Sequence, residues 1–161
     1  LKLKNDQNIP YKLSTSIPII FLLLIFTQIA IGAFVSGMDA GKIYNSWPLM
    51  GNTYFPNDNS LINLFKLSAF SDPSLVQFIH RNLAYLITIF YLYMLFKVYR
   101  KKISHLYKTV NILGFFIILQ IILGIFTILH GAQMYLAAMH QLSSVFLISA
   151  SVYFLFLNRR I

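Results

Sequence analysis

The chain has 161 residues, 58% of them hydrophobic and 11% charged, whereas soluble domains carry about 25% charged residues. That composition excludes an ordinary soluble domain, and the formal charge of +9 follows the membrane topology rather than a nucleic-acid-binding patch. The absence of cysteine excludes a disulfide framework and a thiolate metal site.

Four runs approach the roughly 20 apolar residues needed to cross a hydrocarbon core. They are about Ile17 to Ser36, Leu75 to Tyr99, Thr109 to Leu129 and Tyr135 to Leu157. The expected fold is therefore all-α: a polytopic membrane protein forming a single four-helix domain over residues 1–161, with antiparallel neighbours because the connections are short. The chain begins with Leu1 rather than Met, as a longer protein presented in part would, and no cleavable signal precedes the first span.

The first span follows Lys2, Lys4 and Lys12 and carries Gln28 and Gly32, four apart on one face. The loop over 37–74 is rich in Gly, Asn, Pro and aromatic residues, and its length points to function or to a lid. Trp47, Tyr44 and Tyr54 suit the headgroup level, and "SLINLFKLSAF" suits a short amphipathic helix at the interface.

The second span opens on "LVQFIHRNLAY", with His80 and Arg81 side by side. Lys97, Arg100, Lys101, Lys102 and Lys108 surround the next connection, and Arg159 and Arg160 close the chain, so both termini and the 100–108 loop are expected on the cytoplasmic side. The third span repeats the pairing of the first with Gln120 and Gly124, and the fourth carries His140. Gly32 and Gly124 fit either close helix packing or room for a flat ligand.

His80 lies about five residues inside its span and His140 about six, which places both roughly 8 to 9 Å deep on diagonal helices. Neighbouring axes about 8 to 10 Å apart leave a diagonal of roughly 12 to 14 Å, room for one metal held axially from both sides, a geometry that suits haem. A closed zinc site would need four ligands, and no Cys, Glu or third histidine lies at that depth. The plain alternative is a buried imidazole bonded to a neighbouring carbonyl. Arg81 could pair with haem propionates or snorkel to lipid phosphates, with Lys42 and Lys66 as weaker propionate partners. His130 suits capping or headgroup contact, and His105 a solvated loop.

In order along the chain, "GAFVSGMDAGKIYNSWPLM", "VQFIHRNLAY", "LGIFTIL" and "LAAMHQ" resemble the C-terminal half of the haem A synthase family. That family oxidises a methyl group of haem O to the formyl group of haem A for cytochrome oxidase, in the bacterial or mitochondrial inner membrane. The resemblance implies half of an eight-helix fold, with His80 and His140 as axial ligands of haem b; Arg81, Gly32 and Gly124, on the readings above, are expected around it. It also implies an N-terminal four-helix half as partner, carrying the haem O site and a catalytic carboxylate; haem O synthase or a second copy are further partners. This chain has no Glu, and Asp6, Asp39, Asp58 and Asp72 all lie outside the spans, so no catalytic residue is assigned here. Two other readings stay open: a bis-histidine b-type cytochrome acting only in electron transfer, and a haem-free bundle.

Overall fold

The computed structural model describes residues 12–160. The apolar runs form α1 (Ser16–Gly37), α2 (Pro73–Arg100), α3 (Tyr107–Leu129) and α4 (Met134–Arg159). These are the four helices among the described residues that are long and apolar enough to cross a membrane. Lys2 and Lys4, expected before the first span, lie outside the described residues.

Local chemistry sets the helix ends. Asp72 accepts a hydrogen bond from the Leu75 backbone N–H at 3.0 Å and Pro73 takes the first helical position, so α2 starts two residues ahead of its apolar run. At the end of α3, the N–H groups of Gly131 and Ala132 donate to Ile128 and Thr127, with Gly131 at φ +66°. This is a glycine-terminated stop that reverses the chain directly into α4. Lys102, at φ 51°, ends α2 with the same bond pattern.

Around the bundle α1 packs on α2 and α4, and α3 packs on α4 and α2, which leaves α2 and α4 facing across a diagonal. The main cluster of buried apolar side chains fills the half of the bundle remote from the 38–72 loop. It runs from Leu13, Ile103, Leu106 and Phe154 up to Ile25, Ile87, Ile117 and Leu147, and stops there. Two polar contacts bind this base. Asn158, fully buried, donates to the Leu13 carbonyl at 3.2 Å and accepts from its N–H at 2.9 Å, clasping the segment before α1 to the end of α4. The Tyr91 hydroxyl of α2 donates to the Val110 carbonyl of α3 at 3.1 Å, lying where Gly114 has no side chain.

The 38–72 loop folds back over the other end. Its stretch 61–71 is two 3₁₀ turns, Leu61–Phe65 and Leu67–Ser71, broken by extended backbone at Lys66, instead of the single amphipathic helix its sequence suggests. Phe65 and Leu67 flank the break and are both 90% exposed, so no continuous helical face forms. His105 also departs from expectation: it is partly buried in a 3₁₀ turn with Nε2 enclosed and unpartnered, not solvated.

A methyl group at position 114 would overlap the Tyr91 hydroxyl. Gly114→Ala is expected to cost about 1–3 kcal/mol, seen as a lower Tm in detergent, with part of the loss recovered by adding Tyr91→Phe. Asn158→Ala strips partners from a buried N–H and a buried carbonyl and is expected to lower stability by about 1–3 kcal/mol in the same assay.

Candidate functional site at the histidine layer

Between the apolar base and the folded loop lies a layer built from small and polar residues. His80 is the eighth residue of α2 and His140 the seventh of α4, so at 1.5 Å per residue both lie about 10 Å inside the loop end. Gly32 and Gly124 each stand five residues before the end of their helices, at nearly the same level. The structure therefore brings four of the five expected site residues into one layer, on all four helices.

The layer consists of two matching hairpins. In the first, α1 places Gly32 against His80: a Cβ there would meet the imidazole Cε1 at 3.1 Å. In the second, α3 places Gly124 against His140, where a Cβ would meet Cε1 at 3.2 Å. Each glycine thus gives an imidazole edge room to lie on the neighbouring backbone, the close approach that small residues permit between membrane helices. One turn earlier, Gln28 Nε2 donates to the His80 carbonyl at 3.1 Å and Gln120 Nε2 donates to the His140 carbonyl at 3.0 Å. The sequence showed Gln and Gly sharing a face, but not that the amide would reach the histidine's own backbone.

The hairpins differ in one respect. Gln28 Nε2 also lies 3.3 Å from the His80 ring Nε2, whereas the second hydrogen of Gln120 goes to the Ser143 hydroxyl. Nδ1 of both rings is buried without a hydrogen-bond partner. A histidine that merely satisfies its surroundings looks different: His130 at the end of α3 bonds the Phe126 carbonyl through Nδ1 at 2.9 Å. That is the capping role its position suggests.

Arg81 belongs to the roof. It is 7% exposed, and its two Nη groups donate to the carbonyls of Leu49 (3.2 Å) and Tyr44 (3.0 Å), while Nε is buried and unpartnered. Gln77, one turn before it, donates to the same Tyr44 carbonyl at 3.0 Å. Further fastenings hold the loop down: Asn45 to the carbonyls of Gly41 and Ile128, Trp47 Nε1 to the Tyr85 hydroxyl, and the Tyr54 hydroxyl to Asn82. Lys42 pairs with Asp39 at 2.7 Å, and Lys66 donates to Asn63 at 2.9 Å. No group of three or more His, Cys, Asp or Glu side chains gathers among the described residues, so the donor set here is two imidazoles.

A match to the cytochrome oxidase assembly protein model COX15-CtaA runs over residues 5–152. The chain belongs to that family. It is 42% identical over 152 residues to the heme A synthase of Pelagibacter ubique, covering 92% of this chain and 44% of that protein. The heme A synthase of Rickettsia felis is 36% identical over 155 residues, covering 92% of this chain and 45% of its own length. That of Roseobacter denitrificans is 37% identical over 120 residues, or 74% and 31% of the two chains. The chain thus spans less than half the length of the curated relatives it matches, in keeping with a half-length unit of the family. With its four spans it is a multi-pass membrane protein of that family.

A second polar cluster secures the loop. The Asp58 carboxylate accepts from the Ser74 hydroxyl at 2.6 Å and from the Tyr44 hydroxyl at 3.0 Å. Burial alone would raise the Asp58 carboxyl, but these hydrogen bonds outweigh it and hold the group below its ordinary 3.8. Burial, together with the Asp58 charge and hydrogen bond, raises the Tyr44 phenol. Because the folded Asp58 value lies below the unfolded one, its contribution to loop stability is present above 3.8 and is lost as pH falls through the folded value. Acidification below 3.8 is therefore expected to loosen the loop, read by amide exchange over residues 44–60 or by the emission of Trp47, the single tryptophan. Asp58→Asn should loosen it at neutral pH and flatten the acid response.

Proposed function

We propose that this chain is the haem b-binding half of a haem A synthase, the membrane oxidoreductase that converts the methyl group of haem O to the formyl group of haem A. The observation that carries the reading is the pair of histidines on diagonal helices, at one depth, whose ring Nδ1 atoms are buried without a hydrogen-bond partner. Ionisable side chains inside a membrane are costly and are rarely left idle. Two supports reinforce it: the packed apolar core stops below this layer, and curated relatives over 92% of the chain are named heme A synthase.

The residues fit the group. His80 and His140 offer two nitrogen donors from opposite sides, which suits an iron whose remaining ligands come from a porphyrin. Gly32 and Gly124 set the rings by admitting them against the backbone. Bound there, haem b would supply one-electron transfer toward the reaction on haem O. The chain's own contribution is to orient the imidazoles, to exclude water with the 38–72 loop, and to hold a permanent positive charge beside the site at Arg81. Arg81 Nε still has a donor to offer a carboxylate, while Lys42 and Lys66 are occupied by Asp39 and Asn63. The oxidation itself would take place in a partner N-terminal half that binds haem O. Association with haem O synthase or with a second copy, and residence in a bacterial or mitochondrial inner membrane with both termini on the cytoplasmic or matrix side, complete the proposal.

A cytochrome that carries electrons across the bilayer needs haem ligands near both faces. Here His105 stands alone near the end of the bundle remote from the loop, which favours the synthase reading. Purified protein is expected to show a low-spin, bis-histidine b-type spectrum that is lost in both His80→Ala and His140→Ala. Low-spin haem retained in both variants would refute the assignment. Co-expression with a matching N-terminal half should yield haem A; a stable, haem-loaded complex that makes none would favour the electron-transfer cytochrome.

A further inference from the structure

The two histidine hairpins match except in where each glutamine sends its second amide hydrogen. Both amides spend one hydrogen on the carbonyl of their histidine. Gln120 gives the other to Ser143, three residues after His140, and Ser143 in turn donates to the His140 carbonyl at 3.0 Å. The residue three after His80 is Leu83, which has no hydroxyl, and the second hydrogen of Gln28 points instead at the His80 ring. Because Gln28 faces a carbonyl oxygen, the group there is the amide nitrogen, a donor only. The ring Nε2 it also approaches must then be the acceptor, which places the His80 proton on Nδ1 and the free lone pair on Nε2.

We propose that the two histidines would hold such a group unequally, with His80 the exchangeable donor, because Gln28 competes for its Nε2 lone pair while Ser143 keeps the Gln120 amide off the His140 ring. The proposal rests on the haem reading above. Gln28 and Gln120 are both positioning residues, acting through the histidines. Gln28 orders His80 in the tautomer that metal binding requires, and then stabilises the imidazole whenever it is released. A single neutral hydrogen bond shifts such an equilibrium by about fivefold, equivalent to about 1 kcal/mol at 1.4 kcal/mol per tenfold. His140 would therefore be the firmer donor and His80 the one that a small molecule displaces more readily, a difference set by Leu83 and Ser143 and not by the histidines themselves.

Cyanide binding to the ferric full chain in detergent, followed as conversion of the bis-histidine spectrum, tests this. Gln28→Leu is expected to lower cyanide affinity about fivefold. Leu83→Ser, which keeps Gln28 and gives its amide a hydroxyl partner, should lower it in the same direction. Ser143→Ala frees Gln120 to reach His140 and should raise affinity, because a second ligand becomes exchangeable. A merely structural role for Gln28 predicts loss of haem with Gln28→Leu and no effect of Leu83→Ser. An intact bis-histidine spectrum with cyanide affinity unchanged in both Gln28→Leu and Leu83→Ser overturns the proposal alone. Absence of a bis-histidine spectrum in the unsubstituted chain overturns the haem reading, and the proposal with it.

Discussion

The loop end of this bundle depends on the contact of an imidazole edge with a helix backbone that has no side chain in the way. At Gly32 and Gly124 the ring comes within what would be tight contact of a Cβ, so at that level α1 and α2, and likewise α3 and α4, are separated by the imidazole alone. A glutamine one turn away then reaches the carbonyl of the histidine itself. In a hydrocarbon environment the helices gain little from burying apolar surface against one another, so close approach and interhelical hydrogen bonds decide where they sit. The apolar base answers a different need, filling the remote half with large side chains such as Phe21, Met94 and Phe154 and leaving the histidine layer unfilled by that core.

The fold was largely legible because hydrocarbon imposes its pattern on the sequence. Four apolar runs of the right length can only be helices, since lipid offers no partner to unsatisfied backbone groups. The histidine layer could be found by counting residues from the span ends, because a helix rises by a fixed amount per residue. The hairpin correspondence was half hidden: Gln28 and Gln120 are 92 positions apart while His80 and His140 are 60 apart, because the 38–72 loop lies inside one hairpin and a tight turn inside the other. The loop itself was the least legible part. Its conformation rests on single hydrogen bonds between residues far apart in sequence, such as Asn45 to Ile128 and Ser74 to Asp58, and no periodicity announces those. Nor does the amphipathic pattern announce the break at Lys66, where extended backbone separates the two 3₁₀ turns.

Arg81 shows how the chain manages a cation where charge is expensive. Its Nη groups are met by carbonyl oxygens of the loop instead of by a carboxylate, so the guanidinium is solvated by dipoles and keeps its full charge. Among the described residues the ion pair found is the exposed one between Lys42 and Asp39. The arrangement ties two tasks together. The loop cannot lift from the bundle without stripping Arg81 of its partners, and Arg81 cannot turn fully toward another anion without loosening the loop.

The clasp of Asn158 on Leu13 gathers the beginning and the end of the four-helix path at one point beneath the bundle. A circuit that closes on itself in this way is modular. A second circuit can be spliced to it in tandem through a short connector, with neither set of helices needing to rearrange and with both facing the same leaflet. The curated relatives are a little more than twice as long as the stretch they share with this chain. One asparagine side chain, far from the histidine layer, thus holds the two ends of the four-helix path together on one side of the bundle.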